Sequence, residues 1–138
     1  MKEPVWIDVE DCLSFHEEML SRHGGMSGVR DQGLLESALN RPQQLFHYGE
    51  PTLHEMAAAY AAGIIKNHPF LDGNKRAGFM AAALFLEANG YRFTATEEDV
   101  VIQTLALAAG AIKEAAYARW LRRVSVSERA AARRSKAR

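Results

Sequence analysis

The residues from His68 to Arg76 carry the densest chemistry in this chain of 138 residues. They read His-Pro-Phe-Leu-Asp-Gly-Asn-Lys-Arg, which combines a proton acceptor, a carboxylate and two cations. A helical pattern from Ala77 to Asn89 follows directly, so these side chains are predicted to lie in a loop that leads into a helix N-terminus. Unpaired N–H groups and the helix dipole make such an N-terminus suitable for binding phosphate. The run therefore indicates phosphate chemistry with a histidine placed to move a proton.

Each residue of the run except Leu71 has a role in that interpretation. His68 can accept a proton from an attacking hydroxyl near neutral pH. Pro69 forces an extended or turn conformation on His68 and ends the preceding helix, and Phe70 is predicted to anchor the loop in the core. Asp72 is a hard oxygen ligand, and one carboxylate is enough for Mg²⁺ when phosphates supply other ligands. The predicted phosphate-binding residues, which offer backbone N–H groups and positive charge, are Gly73, Asn74, Lys75 and Arg76.

Simpler structural explanations exist for each part of the run. A histidine before a proline is usually a loop residue, and Asp-Gly-Asn is usually a turn. Lysine and arginine at a helix start are usually solvated, but there they meet the positive end of the helix dipole. Two cations at that position cost stability unless an anion binds, which favours the functional interpretation. The His-Glu pairs at positions 16–17 and 54–55 lack the second histidine that a zinc-protease helix needs, so that motif is rejected.

The run resembles the signature loop of the Fic/Doc family, whose common form is H-P-F-x-D/E-G-N-x-R. The segment from Ser27 to Pro42 resembles the sequence ahead of this loop in Doc (death-on-curing) proteins, and residues 82–91 resemble the helix behind it. The resemblance covers roughly residues 5–95. It implies an all-α fold, a compact helical bundle with a short flap or hairpin before the central helices.

Two positions distinguish the run from that of AMP-transferring Fic enzymes, which usually carry G-N-G-R-x-x-R. Lys75 replaces the second glycine, and Phe79 stands at the final arginine position. The lysine fills space that inner phosphates would need, and phenylalanine cannot pair with a phosphate. The resemblance therefore implies a Doc-type protein kinase that uses ATP and Mg²⁺ to phosphorylate a hydroxyl of elongation factor Tu, which inhibits translation. An AMP-transferase of the same fold and a non-catalytic binding module are the alternatives.

The resemblance also implies that the protein is the toxin of a type II toxin–antitoxin system. The chain has no inhibitory helix of the form S/T-x-x-x-E-G/N, so a separate cognate antitoxin is expected to fold over the active-site groove. Candidate supporting or target contacts are Arg30, Lys66, Phe46 and Tyr48, of which the last two lie in the predicted flap of residues 42–50.

Composition limits the class of protein. The chain is 48% hydrophobic and 25% charged, which is typical of one soluble globular domain. The sequence lacks an apolar stretch of membrane-spanning length and a signal-peptide pattern, so no membrane association and a cytoplasmic location are expected. The single cysteine, Cys12, excludes an intramolecular disulfide and is predicted to lie on a buried helix face.

Charge is distributed unevenly along the chain. Residues 119–138 carry eight Lys/Arg and one Glu, whereas the remainder carries nine Lys/Arg and sixteen Asp/Glu. We expect a catalytic domain of residues 1–124, followed by a basic, flexible C-terminal tail of residues 125–138. A solvated tail is the simpler interpretation, and docking to an acidic partner or RNA is the alternative. No aromatic residues are interleaved with its cations, so direct DNA binding is not expected.

The elements that position the loop are predicted to be helices. The predicted helices span residues 9–21 after an Asp8 cap, 32–40 after an Asp31 cap, 53–67 after a Thr52–Glu55 capping box, 74–89, 97–108 after a Thr96 cap, and 111–124. Residues 41–51 are predicted to form a loop or flap, and residues 91–93 a short extended exit. The helices on either side of the loop are rich in alanine and glycine, so they are expected to cross closely and hold the loop rigidly.

Overall fold

A computed structural model describes residues 2–129 and Arg133, which form six helices and one two-stranded sheet. The elements are α1 (Val9–His23), α2 (Gln32–Tyr48), α3 (Leu53–Asn67), α4 (Asn74–Ala88), β1 (Tyr91–Phe93), α5 (Glu97–Ala108), α6 (Glu114–Arg123) and β2 (Ser125–Ser127). The predicted helical fold class is confirmed. Within the described residues, no helix is both long enough and apolar enough to span a membrane.

Four helices begin at side chains that the sequence predicted as caps. Asp8, Asp31, Thr52 and Thr96 each accept a hydrogen bond from a backbone N–H of the first turn. At α3 the capping box is complete, because the Glu55 side chain in turn accepts from the Thr52 N–H. These bonds satisfy N–H groups that a helix start otherwise leaves unpaired.

The core is built on the α3–α4 pair, and α2 and α6 pack on α3. A β-carbon at Gly78 would lie 2.9 Å from Ile65 Cγ1 and 3.0 Å from the carbonyl oxygen of Ala61, so α3 and α4 approach closely there. Gly63 also lets α3 approach α2, though less closely, since a β-carbon there would lie 3.3 Å from Ala38 Cα. The predicted close crossing is confirmed, and it fixes both ends of the loop between α3 and α4.

The flap predicted for residues 41–51 is wrong, because α2 continues through Pro42 to Tyr48. A proline inside a helix removes one backbone hydrogen bond and normally ends or kinks the helix. Here the Pro42 ring is fully buried, and this packing offsets the lost bond. The aromatic residues assigned to the flap therefore lie on a helix. Phe46 packs edge-on against Trp6 with ring centroids 5.8 Å apart, whereas Tyr48 is 91% exposed.

The folded region extends past the domain boundary predicted at residue 124. Ser125–Ser127 pairs antiparallel with Tyr91–Phe93, so the extended exit predicted at 91–93 is confirmed and the first part of the predicted flexible tail is a strand. A short Ser-Val-Ser segment has little strand preference alone, but the edge of β1 offers it backbone partners. The rest of the predicted tail, apart from Glu128, Arg129 and Arg133, lies outside the described residues.

Two further predictions concern helix ends and the cysteine. The last helix begins at Glu114 rather than at residue 111, because Gly110 has a φ of 76° and a turn follows it. Cys12 is fully buried on α1, as predicted, and burial raises the pKa of its thiol to about 12.

Candidate active site

The loop between α3 and α4 places His68 at one end of the central helix pair. The residue caps α3 in a left-handed conformation, with φ 51° and ψ 53°, and its side chain is exposed. Across residues 2–129 and 133, it is the one non-glycine residue with a positive φ. Its N–H donates to the Ile64 carbonyl oxygen at 3.0 Å. Because this conformation is unfavourable for a residue with a β-carbon, its surroundings must hold it in place.

Arg30 holds the backbone on both sides of His68. Its Nε donates to the His68 carbonyl oxygen at 2.7 Å, and its Nη2 donates to the Asn67 carbonyl oxygen at 2.9 Å. The backbone N–H groups of Arg30 and Asp31 both donate to the Pro69 carbonyl oxygen, at 2.7 and 3.0 Å. The guanidinium thus brings positive charge to the negative end of the α3 dipole. Arg30, a candidate supporting or target contact, therefore lies against the loop backbone.

Asn74 and Phe70 close the loop internally. Asn74 Oδ1 accepts from the Phe70 N–H at 2.9 Å, and Asn74 Nδ2 donates to the Phe70 carbonyl oxygen at 3.0 Å. Phe70 is fully buried and pairs with Val29 in an isolated β-bridge, so its predicted anchoring role is confirmed. The side-chain amide of Asn74 is used within the loop, which leaves its backbone N–H as the group it can offer to a phosphate.

The start of α4 has no side-chain cap within the described part of the chain. Its N-cap is Gly73, at φ 77° and ψ 22°, and a β-carbon there would lie 2.8 Å from Met19 Cε. Glycine is needed at this position for both reasons. The N–H groups of residues 74–76 precede the first intrahelical hydrogen bond, and the side chains of Lys75 and Arg76 are exposed. Together these groups can bind an anion.

Asp72 precedes this helix start with an exposed side chain. Its Oδ1 accepts from the Gly73 N–H at 2.8 Å, and its Oδ2 accepts from the Met26 N–H at 3.2 Å. These bonds orient the carboxylate, and its oxygens still have lone pairs with which to bind another partner. No cluster of three His, Cys, Asp or Glu that could hold a metal occurs among the described residues. A divalent ion at Asp72 would therefore need phosphate and water oxygens as well, which is the coordination typical of Mg²⁺.

Two contacts that support Asp72 were missed in the sequence. His16 is 1% exposed, its Nε2 lies 2.8 Å from the Asp72 carbonyl oxygen, and its ring stacks on Phe70 at 3.7 Å. In the sequence, His16 stood out only as part of a His-Glu pair that lacks the second histidine of a zinc-protease helix. The second contact is the loop around Met26. The sequence contained one sign of this contact, the pair Gly24-Gly25 just before Met26. A β-carbon at Gly25 would lie only 2.9 Å from Asp72 Oδ2, so glycine is needed there.

The other predicted contacts do not join the loop directly. Lys66 is exposed on the last turn of α3 and borders a polar cleft between α2 and α3. Phe46 and Tyr48 lie near the C-terminal end of α2. Across the described residues, no hydrogen bond or ion pair links these three side chains to residues 68–76. The structure therefore brings together His68, Asp72, the 73–76 turn and Arg30, whereas no hydrogen bond or ion pair among the described residues joins the remaining candidates to them.

The site is a histidine–aspartate loop above an uncapped, cationic helix start, held between two closely packed helices of an all-α fold. The chain belongs to the Fic/DOC family, whose model matches residues 6–86. It is 34% identical over 119 residues to Protein kinase doc of Escherichia phage P1, an alignment that covers 86% of this chain and 94% of that relative. It is 42% identical over 92 residues to Toxin Doc of Mycolicibacterium smegmatis (strain ATCC 700084 / mc(2)155), which covers 65% of this chain and 68% of that relative. The family predicted from the signature loop is confirmed.

Proposed function

We propose that this chain is the toxin of a toxin–antitoxin system and a protein kinase that transfers the γ-phosphate of ATP to a hydroxyl of a target protein. The observation that carries the proposal is the start of α4. There the exposed His68 and Asp72 precede three backbone N–H groups that have no hydrogen-bond partner among the described residues, and the exposed cations Lys75 and Arg76 lie in the same turn. Such an arrangement is unfavourable without a bound anion. The names of the two relatives, a protein kinase and a toxin, agree with this proposal.

Each group at the site has a defined part in the proposed reaction. His68 accepts the proton of the target hydroxyl as the hydroxyl oxygen attacks the γ-phosphorus of ATP. The bond from that phosphorus to the bridging oxygen of the β-phosphate breaks, and ADP leaves with those electrons. Lys75, Arg76 and the N–H groups of residues 74–76 hold phosphate oxygens and offset the negative charge of the transition state. Asp72 would hold Mg²⁺, which neutralises phosphate charge when bound. The close packing of α3 against α4 keeps the base and the phosphate-binding groups aligned.

Two side chains favour γ-phosphate transfer over AMP transfer. Lys75 stands at the position where AMP-transferring Fic enzymes usually carry a glycine, and it adds an exposed, charged side chain to the first turn of α4. Phe79 packs against Phe93 and Trp120, with ring centroids 5.4 and 6.4 Å away. It therefore belongs to an aromatic cluster and supplies no charge for a further phosphate. AMP transfer and non-catalytic binding are the two competing functions.

Elongation factor Tu is the proposed target, and a cognate antitoxin that covers the groove is the proposed inhibitor. In the described residues, neither Lys75 nor Arg76 forms an ion pair with a carboxylate. Their charge is thus available to ATP phosphates or to an acidic antitoxin segment that folds on binding. Lys66, Phe46 and Tyr48 stay predictions as target contacts.

The proposal is tested by incubating the protein with elongation factor Tu and ATP labelled at either the γ- or the α-phosphate. We expect label from the γ position only, and a fall in transfer of about 10²–10⁴-fold in His68→Ala, because the general base is lost. The melting temperature should change little, since the side chain is exposed. His23→Ala, which removes an exposed histidine from the last turn of α1, is the matched control and should retain transfer.

The other outcomes of this experiment identify the competing functions. Label from the α position alone would establish an AMP-transferase. No label from either position would exclude elongation factor Tu as the target or favour the binding module. Near-normal transfer by His68→Ala would remove His68 as the base.

A further inference from the structure

His16 is buried on α1 directly beneath the candidate active site. Its side chain is 1% exposed, and its Nε2 lies 2.8 Å from the carbonyl oxygen of Asp72. Because a carbonyl oxygen can only accept, Nε2 carries the hydrogen and donates it. The two residues are 56 positions apart in the chain. This single bond therefore fixes the loop relative to a helix that contributes none of the predicted catalytic or phosphate-binding groups.

The imidazole ring also supports the loop from below. It stacks on Phe70 with a centroid distance of 3.7 Å and an interplanar angle of 13°. A β-carbon at Gly73 would lie 3.6 Å from His16 Nε2, so the backbone of the turn passes close over the ring. One side chain thus meets the loop at Phe70, at the carbonyl oxygen of the proposed metal ligand Asp72, and at Gly73, the N-cap of α4.

We propose that His16 is a positioning residue for phosphate transfer, which acts by fixing the backbone at Asp72 and Gly73. This inference rests on the proposed function of the loop. Without the donor, the Asp72 carbonyl oxygen loses its hydrogen bond and the turn can rotate, which misdirects the carboxylate and the phosphate-binding N–H groups. Small displacements of such supporting groups reduce catalysis strongly. A histidine with a packing role alone would affect stability but not the geometry of the turn.

Three variants separate the hydrogen bond from the packing. His16→Phe keeps a ring that can stack on Phe70 and removes the donor. His16→Gln keeps an N–H donor, because its amide nitrogen reaches a position similar to that of Nε2, and removes the ring. Tyr117→Phe is the matched control. It removes the 2.9 Å hydrogen bond between the buried Tyr117 hydroxyl on α6 and Thr104 Oγ1 on α5. Both residues lie outside the loop.

The first measurement is amide hydrogen exchange in the nucleotide-free protein, which needs no substrate. The N–H groups of Phe70 and Leu71 donate to Asn74 Oδ1 and the Gly28 carbonyl oxygen, so their exchange reports on the loop. We expect exchange at both to rise about tenfold or more in His16→Phe relative to Tyr117→Phe. His16→Gln should restore most of the protection. Equal exchange in His16→Phe and Tyr117→Phe would overturn the proposal.

The second measurement is phosphate transfer as a function of Mg²⁺ concentration. We expect kcat to fall about 10–100-fold in His16→Phe and the half-saturating Mg²⁺ concentration to rise. The KM for the target protein should stay unchanged, and His16→Gln should recover most of the loss. Wild-type kcat in His16→Phe would overturn the proposal even if the loop exchanges faster. If the wild-type protein itself transfers no phosphate, the kinase proposal fails, and hydrogen exchange alone decides whether His16 positions Asp72.

Discussion

At the start of α3, Thr52 and Glu55 bind each other's backbone N–H groups, whereas at the start of α4 Gly73 offers no side chain and two cations follow it. The two helices are partners in the same core, so the difference does not come from burial of the helix pair. The first arrangement gives N–H groups at the start of α3 hydrogen-bond partners from the chain itself, which stabilises the fold. The second leaves donors and positive charge for a ligand, at a cost in stability.

The starts of α3 and α4 also differ in whether they carry positive charge. His54 lies in the first turn of α3, where burial and then the nearby Arg122 lower the pKa of its imidazole. A positive charge is therefore disfavoured at the self-capped helix start. Lys75 and Arg76 are exposed in the first turn of α4. A positive charge is thus kept at the helix start that we propose to be functional and is avoided at the other.

The largest effect is expected at α4, where activity and stability should change in opposite directions. Arg76→Gln should reduce γ-phosphate transfer about 10²–10³-fold, because a charge that stabilises the transition state is lost. It should also raise the free energy of unfolding by about 0.3–1 kcal/mol, because a cation leaves the positive end of the helix dipole. Labelled transfer and urea unfolding measure the two quantities.

Lys113→Gln is the control for Arg76→Gln. Lys113 is the N-cap of α6, which also has no side-chain cap hydrogen bond among the described residues. Its replacement should give a comparable gain in stability without loss of transfer. A stability loss in Arg76→Gln would contradict the view that this cation is kept for function.

A smaller effect is expected at α3, and on stability alone. Thr52→Ala should lower the free energy of unfolding by about 1 kcal/mol, because an N–H in the first turn loses its partner. Transfer at 25 °C should be unchanged, since the folded state still predominates. Thr94→Ala, which replaces an exposed threonine outside the helices, should change neither quantity. A large loss of transfer in Thr52→Ala would show that the α3 start also takes part in catalysis.

The smallest effect concerns the pH dependence of stability. The pKa of His54 is lowered below 6.5 in the folded protein, so the unfolded state binds more protons in this range. The free energy of unfolding should therefore fall as the pH drops from 6.5 through the lowered pKa, and this contribution should be complete above 6.5. His54→Gln should lack this part of the pH dependence in urea unfolding. If the wild-type protein and His54→Gln showed the same dependence of unfolding free energy on pH, the lowered pKa of His54 would be contradicted.

Local signals predicted most of the helices and the loop. The caps at Asp8, Thr52 and Thr96 act within one helical turn, so the sequence nearby is sufficient to identify them. The signature loop was identifiable because its residues are contiguous. Predictions failed where the deciding partner lies elsewhere in the chain. Pro42 stays in a helix because the surrounding core buries its ring, and Ser125 enters a strand because β1 offers an edge.

The functional site shows the same division. Its exposed groups, His68, Asp72 and the two cations, were predicted from one segment. Their supports come from α1 and from residues 24–31, and these contacts are long-range in sequence. A buried histidine on an apolar helix face has no local sign of its partner. The contact of His16 with Asp72 could therefore be found only in the folded structure.

The hydrogen bonds from Arg30 to the α3–α4 loop also bear on how the chain assembles. Helices α3 and α4 are neighbours in sequence and can pair through a short connection. Arg30 and His68 are 38 residues apart, and closing a ring of that length costs about 3 kcal/mol in chain entropy before its contacts form. The loop therefore gains its final shape only after this closure. A folding intermediate with paired α3 and α4 would contain the signature residues but not yet the geometry that they need for chemistry.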